Sequence, residues 1–403
     1  MRRVVITGAG TVNPLGLDVP ATMAAMAEGR CAIGPLTFRD VARLTVRIGA
    51  QIPGWQPEVR FSKADLALLD PFSQFAVVAA AEAVAQSGLV FDAGLAEGTG
   101  VIIGSAGGGL QTTDDNFRAV YEGGKSRVHP YVVPRLMLNA AAAQVAIRHG
   151  LQGATYAVSS ACSSSNHAIG QAFHLIRSGA AQVMLAGGTD AMLCFGGIKA
   201  WEGLRVMSQT ACRPFSLNRS GMVQGEGAAI FVFEDYEHAR ARGAEILAEV
   251  VGFAMTSDAS DIVMPSQEGA ARAIRLALRD AKIAADAVGY INAHGTGTAA
   301  NDKTECAAIA QVFGAAAEGV MLSSTKSMHG HLIGGTGAVE LLACLMALQQ
   351  GVIAPTIGYE LADPDCPLDV VPNQARAAQV DVVMSNAFAF GGLNAVLVLR
   401  KAP

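Results

Sequence analysis

The 403-residue sequence carries little charge: 16% of its residues are Asp, Glu, Lys or Arg, and the formal net charge is −5. A sparse, slightly acidic surface excludes a general nucleic-acid binder, and no basic run with interleaved aromatics offsets it. Paired C-x-x-C cysteines are missing. The seven cysteines (Cys31, Cys162, Cys194, Cys212, Cys306, Cys344, Cys366) are odd in number and scattered, which reads as reduced thiols in a cytoplasmic protein. No apolar run is long enough to span a bilayer, since the stretch from Ala338 to Leu348 is short and holds Glu340. Membrane insertion is therefore not expected. After Met1-Arg2-Arg3 only three apolar residues precede Thr7 and Gly8, too few for a signal peptide.

Two nucleotide-binding motifs also fall short. Gly8-Ala9-Gly10 follows a strand-like run, but the third glycine of a dinucleotide fingerprint is Asn13 here, followed by Pro14. Gly124-Lys125-Ser126 resembles the end of a phosphate-binding loop, yet Ala119 stands at its first glycine position. His329 and His331 are two residues apart with no Cys or carboxylate cluster to complete a metal site, so neither a metal nor a resident cofactor is expected.

What is plentiful is apolar: 51% of residues are hydrophobic, and there are 45 glycines. Short β-branched runs (Val4 to Thr7, Val101 to Ile103, Ala154 to Val158, Val183 to Ala186, Tyr290 to Asn292, Val382 to Met384) alternate with Ala-rich stretches of helical character. The helical candidates are Pro71 to Ser87, Asn139 to Arg148, Ser165 to Ser178, Glu268 to Lys282 and Leu332 to Gln349. The alternation predicts an α/β protein, and several helices apolar on nearly every face predict buried central helices.

An internal repeat sharpens this. Ser159 to Gly170 (SSACSSSNHAIG) laid over Ser323 to Gly334 (SSTKSMHGHLIG) gives six identities in twelve, with His167 over His331. Each copy follows a strand-like run and leads into a long apolar helix. A duplicated unit is expected, with an N-terminal half at 1–245 and a C-terminal half at 246–403.

Cys162 lies where a strand ends in a Ser-rich turn and a helix begins. A thiol at a helix N-terminus meets unpaired N–H groups and the positive end of the dipole, which favour thiolate. The same position suits a small buried core residue, and the setting alone allows both. His294, in INAHGTGT, ends a strand before a Gly-rich turn that is expected to leave its imidazole open to a cleft. His331 opens the second copy of the repeat. If the halves are related by a pseudo-twofold axis, one thiol and two imidazoles converge. His129, His149, His174 and His238 read as structural.

SSACSSSNHAIG, INAHGTGT, SSTKSMHGHLIGGTGAVE and SNAFAFGGLNAVL, with RPFSLNRSGMVQGEGA between them, resemble in order the signatures of the β-ketoacyl-acyl carrier protein synthases of the thiolase superfamily. Within that family the chain looks closest to the elongating type, and KAWEGLRVMS with KSMHGH is similar to the nodulation-protein-E-like branch. The resemblance implies a duplicated five-layered αβαβα fold and decarboxylative extension of acyl chains by two carbons. It also implies an acyl carrier protein partner that brings its own phosphopantetheine arm, and a homodimer or a heterodimer with a chain-length-factor-like homologue.

Residue by residue, the resemblance makes Cys162 the nucleophile and His294 and His331 the enolate-stabilising pair. The backbone N–H groups of Cys162 and Phe390 form the oxyanion hole. Lys326, paired with Glu340, orients His331 and tunes its charge. Thr296 and Thr298 hold the pantetheine arm. Phe388 and Phe390 form a gate hinged on Gly391 and Gly392, although Phe388 and Glu340 also fit merely packed or paired positions.

Some residues depart from the family pattern. His329 stands where many relatives have Thr, with no role assignable from sequence. Gly107 occupies a place where some relatives carry a branched pocket gate, so it either opens space for the acyl tail or serves backbone conformation. Trp201 either narrows the pocket or offers a flat wall. Lys63, Lys125, Arg127 and Arg205 are expected to form a reduced basic rim for the carrier, with Leu66 to Leu69 adding apolar contacts. Two other functions remain from sequence: a non-catalytic chain-length partner, and a coenzyme A-dependent condensing enzyme of the same superfamily.

Overall fold

The computed structural model describes residues 1–402. Ten strands build the central architecture: β1 (Val4–Val12), β2 (Gly100–Gly104), β3 (Thr155–Val158), β4 (Val183–Asp190), β5 (Gly227–Asp235), β6 (Ala248–Ser257), β7 (Tyr290–Asn292), β8 (Met321–Ser323), β9 (Val382–Ala389) and β10 (Leu393–Arg400). Their spatial order is β8-β7-β9-β10-β6-β1-β5-β4-β2-β3. Read outward from the β6/β1 junction, each strand of the first set has a partner five strands later in the chain. The senses match too: β2 is parallel to β3 and β4, as β7 is to β8 and β9, while β5 runs antiparallel to β4 and β1, as β10 does to β9 and β6. Identical order and sense in two sets is the structural counterpart of the sequence repeat. The sets join through Val4, Val5 and Ile6 facing Val250, Glu249 and Ala248.

Six helices complete the layers: α1 (Pro71–Ser87), α2 (Ala140–His149), α3 (Ser164–Ser178), α4 (Gln267–Ala281), α5 (Ala299–Phe313) and α6 (Thr336–Gln350). Helices α1 and α2 cover one outer face through Phe72, Phe75, Ala79 and Val145, and α4 and α5 cover the other through Ile274, Ala277, Ile309 and Phe313. Between the sets lie α3 and α6, whose Ile169, Phe173, Leu341, Leu342 and Leu345 belong to one core cluster. The result is the five-layered αβαβα arrangement. From Thr336 to Leu348 every residue of α6 is buried, which is why its sequence is apolar on all faces and shows no amphipathic stripe.

Caps explain the boundaries. Asp70 accepts from Phe72 N ahead of Pro71, and left-handed Gly88, Gly150, Gly179 and Gly351 end α1, α2, α3 and α6. Strands were less legible. Sequence periodicity missed β5, β6 and β10; β5 and β10 are almost wholly buried, as is the stretch of β6 from Ala248 to Ala254, and so lack alternation. No helix among the described residues is long and apolar enough to cross a membrane.

The middle layer is tight. A Cβ on Gly170 of α3 would fall on the Phe253 ring of β6. Alanine is the better helix former by about 0.5–1 kcal/mol, but overpacking costs about 1–3 kcal/mol, so the clash wins. Gly170→Ala should lower the urea midpoint of unfolding; a midpoint that stays or rises would show that the layers can part at little cost.

Candidate active site

The reacting groups come from the ends of four strands, one in the first set and three in the second. Cys162 follows β3, its backbone turned sharply by Ala161 at φ 50°, and α3 begins two residues later. His294 follows β7. Lys326 and His331 follow β8, and Phe388 and Phe390 close β9. One ligand atom each from Cys162, His294 and His331 lies within 4.8 Å of the others, and the two imidazole rings meet edge to face at 5.6 Å.

The convergence depends on how the halves meet. Ser165 Oγ donates to the Gly334 carbonyl, and Gly337 packs so closely on Asn166 that a side chain there would strike its Oδ1. The N-terminal ends of α3 and α6 are thereby held against each other. Buried carboxylates fix the surrounding loops: Asp190 accepts from Ala106 N and Gly107 N at 3.0 Å and from Gly334 N at 2.7 Å. In the second half Glu305 accepts from His294 N and Gly295 N, both at 2.8 Å. Burial lifts Asp190 to about 6 and Glu305 to about 7, and in each case the hydrogen bonds pull back toward the ionised form.

The imidazole of His331 is set by neighbours that sequence did not reveal. Its Nδ1 accepts from Ile333 N at 3.1 Å and lies 2.8 Å from Thr336 Oγ1. A backbone N–H can only donate, so Nδ1 is unprotonated and the proton of the neutral ring sits on Nε2. That Nε2 is buried and has no partner within the chain. Lys326 does not orient His331, contrary to expectation: its Nζ donates to Glu340 Oε1 at 2.6 Å in a fully buried pair. Its effect is electrostatic. Burial first, then the Lys326 charge, hold His331 and His294 well below the usual imidazole range, so both are neutral at physiological pH. Burial lifts Glu340 to about 7, with Lys326 opposing.

His294 faces the cleft as expected, in the wall of the pocket over Cys162, yet is only 3% exposed to solvent. One sequence expectation changes. Cys162 does not rest as a thiolate, because burial pushes its thiol up to about 12; the Lys326 charge and the backbone N–H groups of Phe390 and Cys162 itself pull the other way. Both N–H groups therefore face the thiol, and donors so placed can also serve an oxyanion on a carbon bonded to Sγ.

His329 is accounted for. Its Nδ1 lies 2.7 Å from the Gly330 carbonyl and its Nε2 2.9 Å from Thr325 Oγ1, so the ring donates at one nitrogen and accepts at the other. Burial holds it down to about 3. A fully satisfied neutral ring is structural.

The pocket over Cys162 is lined by Trp201, Met222, His294, Thr296, Thr298, His331, Phe388 and Phe390, among others. The Thr296 and Thr298 hydroxyls are 2.8 Å apart, and Trp201 stacks on Phe390 at 5.8 Å. Gly391 and Gly392 have φ of 81° and 67°, values that suit a glycine hinge. Gly107 does not line this pocket. Met192 fills the space expected to be open beside it. Leu69 is buried and Leu66 packs on the outer core, so the apolar contacts expected for docking are largely spent inside the fold. Lys63, Lys125, Arg127 and Arg205 are all exposed and lie on three separate segments, Arg205 next to the pocket-lining Val206.

Cys162, His294 and His331 together offer a donor set that suits a soft divalent cation. The tautomer argues against it, because His331 would have to surrender the Nε2 proton that the Ile333 N–H dictates. The arrangement suits acyl transfer: a thiol, two N–H groups for an oxyanion, and neutral imidazoles beside a mostly apolar pocket.

The fold and this site define a thiol-dependent acyl-transferring condensing enzyme, and comparison with known proteins gives the family. Residues 1–239 match the β-ketoacyl synthase N-terminal domain and residues 247–360 its C-terminal domain, so the chain belongs to the β-ketoacyl synthase family. It is 48% identical over 400 residues to nodulation protein E of Rhizobium sp. (strain N33), covering 99% of both chains. It is 40% identical over 408 residues to 3-oxoacyl-[acyl-carrier-protein] synthase 2 of Synechocystis sp., covering 99% of this chain and 98% of that one. The solved ishigamide ketosynthase/chain length factor superposes with a TM-score of 0.95 at 35% identity over the whole of both chains.

Selective 15N-histidine NMR at pH 6 should show His331 as the Nε2–H tautomer and His329 as the Nδ1–H tautomer, both neutral. An imidazolium signal from either ring, or a protonated Nδ1 on His331, would contradict the assignment.

Proposed function

We propose that Cys162 carries the growing acyl chain as a thioester and that His294 and His331 stabilise the enolate formed when a malonyl-carrier loses carbon dioxide. The observation that carries the reading is the meeting of Cys162, His294 and His331 within 4.8 Å, with Nε2–H of His331 unpartnered.

In the first half-reaction Sγ attacks the acyl-carrier thioester, the oxyanion is held by the N–H groups of Cys162 and Phe390, and the released carrier thiol takes the proton. In the second, breaking the carboxylate–carbon bond of malonyl leaves an enolate whose oxygen accepts from His331 Nε2–H. His294 is positioned to make the same kind of contact. A neutral imidazole stabilises this anion without protonating its carbon as a stronger acid would. The enolate carbon attacks the Cys162 thioester, the tetrahedral adduct expels Cys162 thiolate, and protonation restores the thiol. The chain grows by two carbons. Residues 1–245 thus supply the nucleophile and residues 246–403 both imidazoles.

The paired hydroxyls of Thr296 and Thr298 suit the polar arm of phosphopantetheine, brought by an acyl carrier protein, as the name of the Synechocystis relative indicates for that enzyme. Arg205 adjoins the pocket-lining Val206 in the chain, and the exposed Lys63, Lys125 and Arg127 are the other basic residues assigned to carrier docking. Phe388 and Phe390 serve as the gate and Trp201 as its aromatic wall. A second chain, identical or a chain-length-factor-like homologue, completes the assembly. Supporting this, β3 is a sheet edge, and Phe117, Val128, Tyr131 and Val133 are 54%, 48%, 47% and 61% exposed. Seven unpaired thiols fit a cytoplasmic enzyme.

Cys162→Ala should abolish acyl-enzyme formation. His294→Ala and His331→Ala should each slow malonyl decarboxylation by about 10²–10³ while Cys162 still accepts an acyl group. Decarboxylation at the wild-type rate in both histidine variants would remove the enolate role; a thioester on the Cys162→Ala protein would remove the nucleophile.

A further inference from the structure

Resting on the reading of Cys162 as the acylated residue, we propose that Cys306 and Cys366 form a peroxide-sensitive thiol pair whose disulfide slows acylation at the active site. Both thiols are free and buried, one on α5 and the other in the loop that carries Asp363, and they meet in the outer core cluster. The Cys306 thiol donates to Cys366 Sγ, and the Cys366 thiol in turn donates to the Asp363 carboxylate. The bond to Cys366 first, and burial second, raise the Cys306 thiol, so Cys306 is protonated at rest. Cys366 is the more accessible partner: it is buried between the exposed Asp365 and Pro367, a depth that a molecule as small as peroxide can cross. Arg219 and Lys303 lie close enough to act on its charge when it ionises.

The pair is wired to the pocket from both sides. Next to Cys306 in α5, Glu305 holds His294 N and Gly295 N, and one turn earlier Asp302 accepts from Gly297 N at 3.2 Å. On the loop side, Asp363 binds Arg219, whose Nε donates to the Thr298 carbonyl at 3.4 Å and whose Nη2 donates to the Ala299 carbonyl at 3.3 Å. Thr298, Ala300 and Asn301 line the pocket over Cys162. A disulfide brings two sulfurs to about 2 Å, far closer than a hydrogen-bonded pair, and it removes both thiol protons. Asp363 then loses a donor, and one segment has to move. Glu305 pins α5 to the His294 turn, so the loop shifts, and with it the Asp363–Arg219 pair that holds the Thr298 wall.

The oxidation balances with one molecule of peroxide. The Cys366 thiolate attacks one peroxide oxygen, the O–O bond breaks, and the departing hydroxide takes up the proton that Cys366 released. Cys306 sulfur then attacks the resulting sulfenic acid at Cys366 sulfur; the S–O bond breaks and the oxygen leaves with the Cys306 proton as a second water. Two thiols are oxidised to one disulfide and hydrogen peroxide is reduced to two waters.

The test has two arms, both on the full-length protein. In the first, Cys162→Ala protein is treated with hydrogen peroxide, quenched with catalase, alkylated and digested without reduction. Mass spectrometry should find the Cys306 peptide linked to the Cys366 peptide, and dithiothreitol should release them. In the second, protein with Cys162 intact is treated and quenched in the same way, and its acylation by an acyl-carrier is followed by intact mass. The rate should fall at least about tenfold, within the ~10²-fold that a ~1 Å misplacement can cost, and dithiothreitol should restore it. Cys306→Ala should keep its rate through the same treatment; if it does not fold, Cys366→Ser takes its place, since the serine hydroxyl can still donate to Asp363. Recovery of Cys306 and Cys366 as free thiols at a peroxide dose that oxidises the exposed Cys31 would overturn the proposal. So would a disulfide that leaves the rate unchanged, or an equal loss of rate in the Cys306→Ala protein, which would place the oxidation on Cys162. Failure of the reduced wild-type protein to acquire any acyl group would instead overturn the nucleophile reading, and the peptide mapping would stand apart from it.

Discussion

Everything at the site depends on the contact between the N-terminal ends of the two central helices. Each half of the chain alone would present one helix end with orphan N–H groups and a wide apolar face. Pressed together through Ser165, Asn166, Gly334 and Gly337, the ends become the floor of one site, and the apolar faces of α3 and α6 disappear into a common core. Small residues are required there because any larger side chain would separate the halves and pull Cys162 away from His331.

The electrostatics follow from that burial. One ammonium, Lys326, sits among His294, His331 and Cys162, paired with Glu340 at 2.6 Å. Its charge acts in one direction on all three, favouring neutral imidazole and opposing the burial that keeps the thiol protonated. Removing one partner of such a pair typically costs about 3–5 kcal/mol, since the other is left charged and dry. The pair is thus built into both stability and electrostatics: Lys326 helps keep His331 neutral, and the Ile333 N–H keeps the ring proton on Nε2.

Positioning is spread over residues that touch no substrate. Asp190 and Glu305 stand in comparable roles, each a buried carboxylate gathering backbone N–H groups of the loop that follows a parallel strand. This is the duplication expressed in chemistry as well as in strand order. The two halves have diverged at the strand ends themselves: one offers a thiol and the other two imidazoles and a lysine.

Much of this was legible in the sequence. The repeat around Cys162 and Lys326, the order of the signature segments and the limits of α1 follow from local pattern, because caps, glycine stops and strand-to-helix turns are local effects. Cys162, His294 and His331 could be singled out by their settings. Buried strands such as β5 and β10 could not, because a strand covered on both faces loses the alternation that reveals it. Nor could the tautomer of His331, the satisfied state of His329, the resting thiol of Cys162 or the filling of the Gly107 space by Met192. Each of these is set by atoms that close packing brings together across the fold or within a tight turn, and hydrogen-bond direction, desolvation and shared volume exist only once those atoms meet.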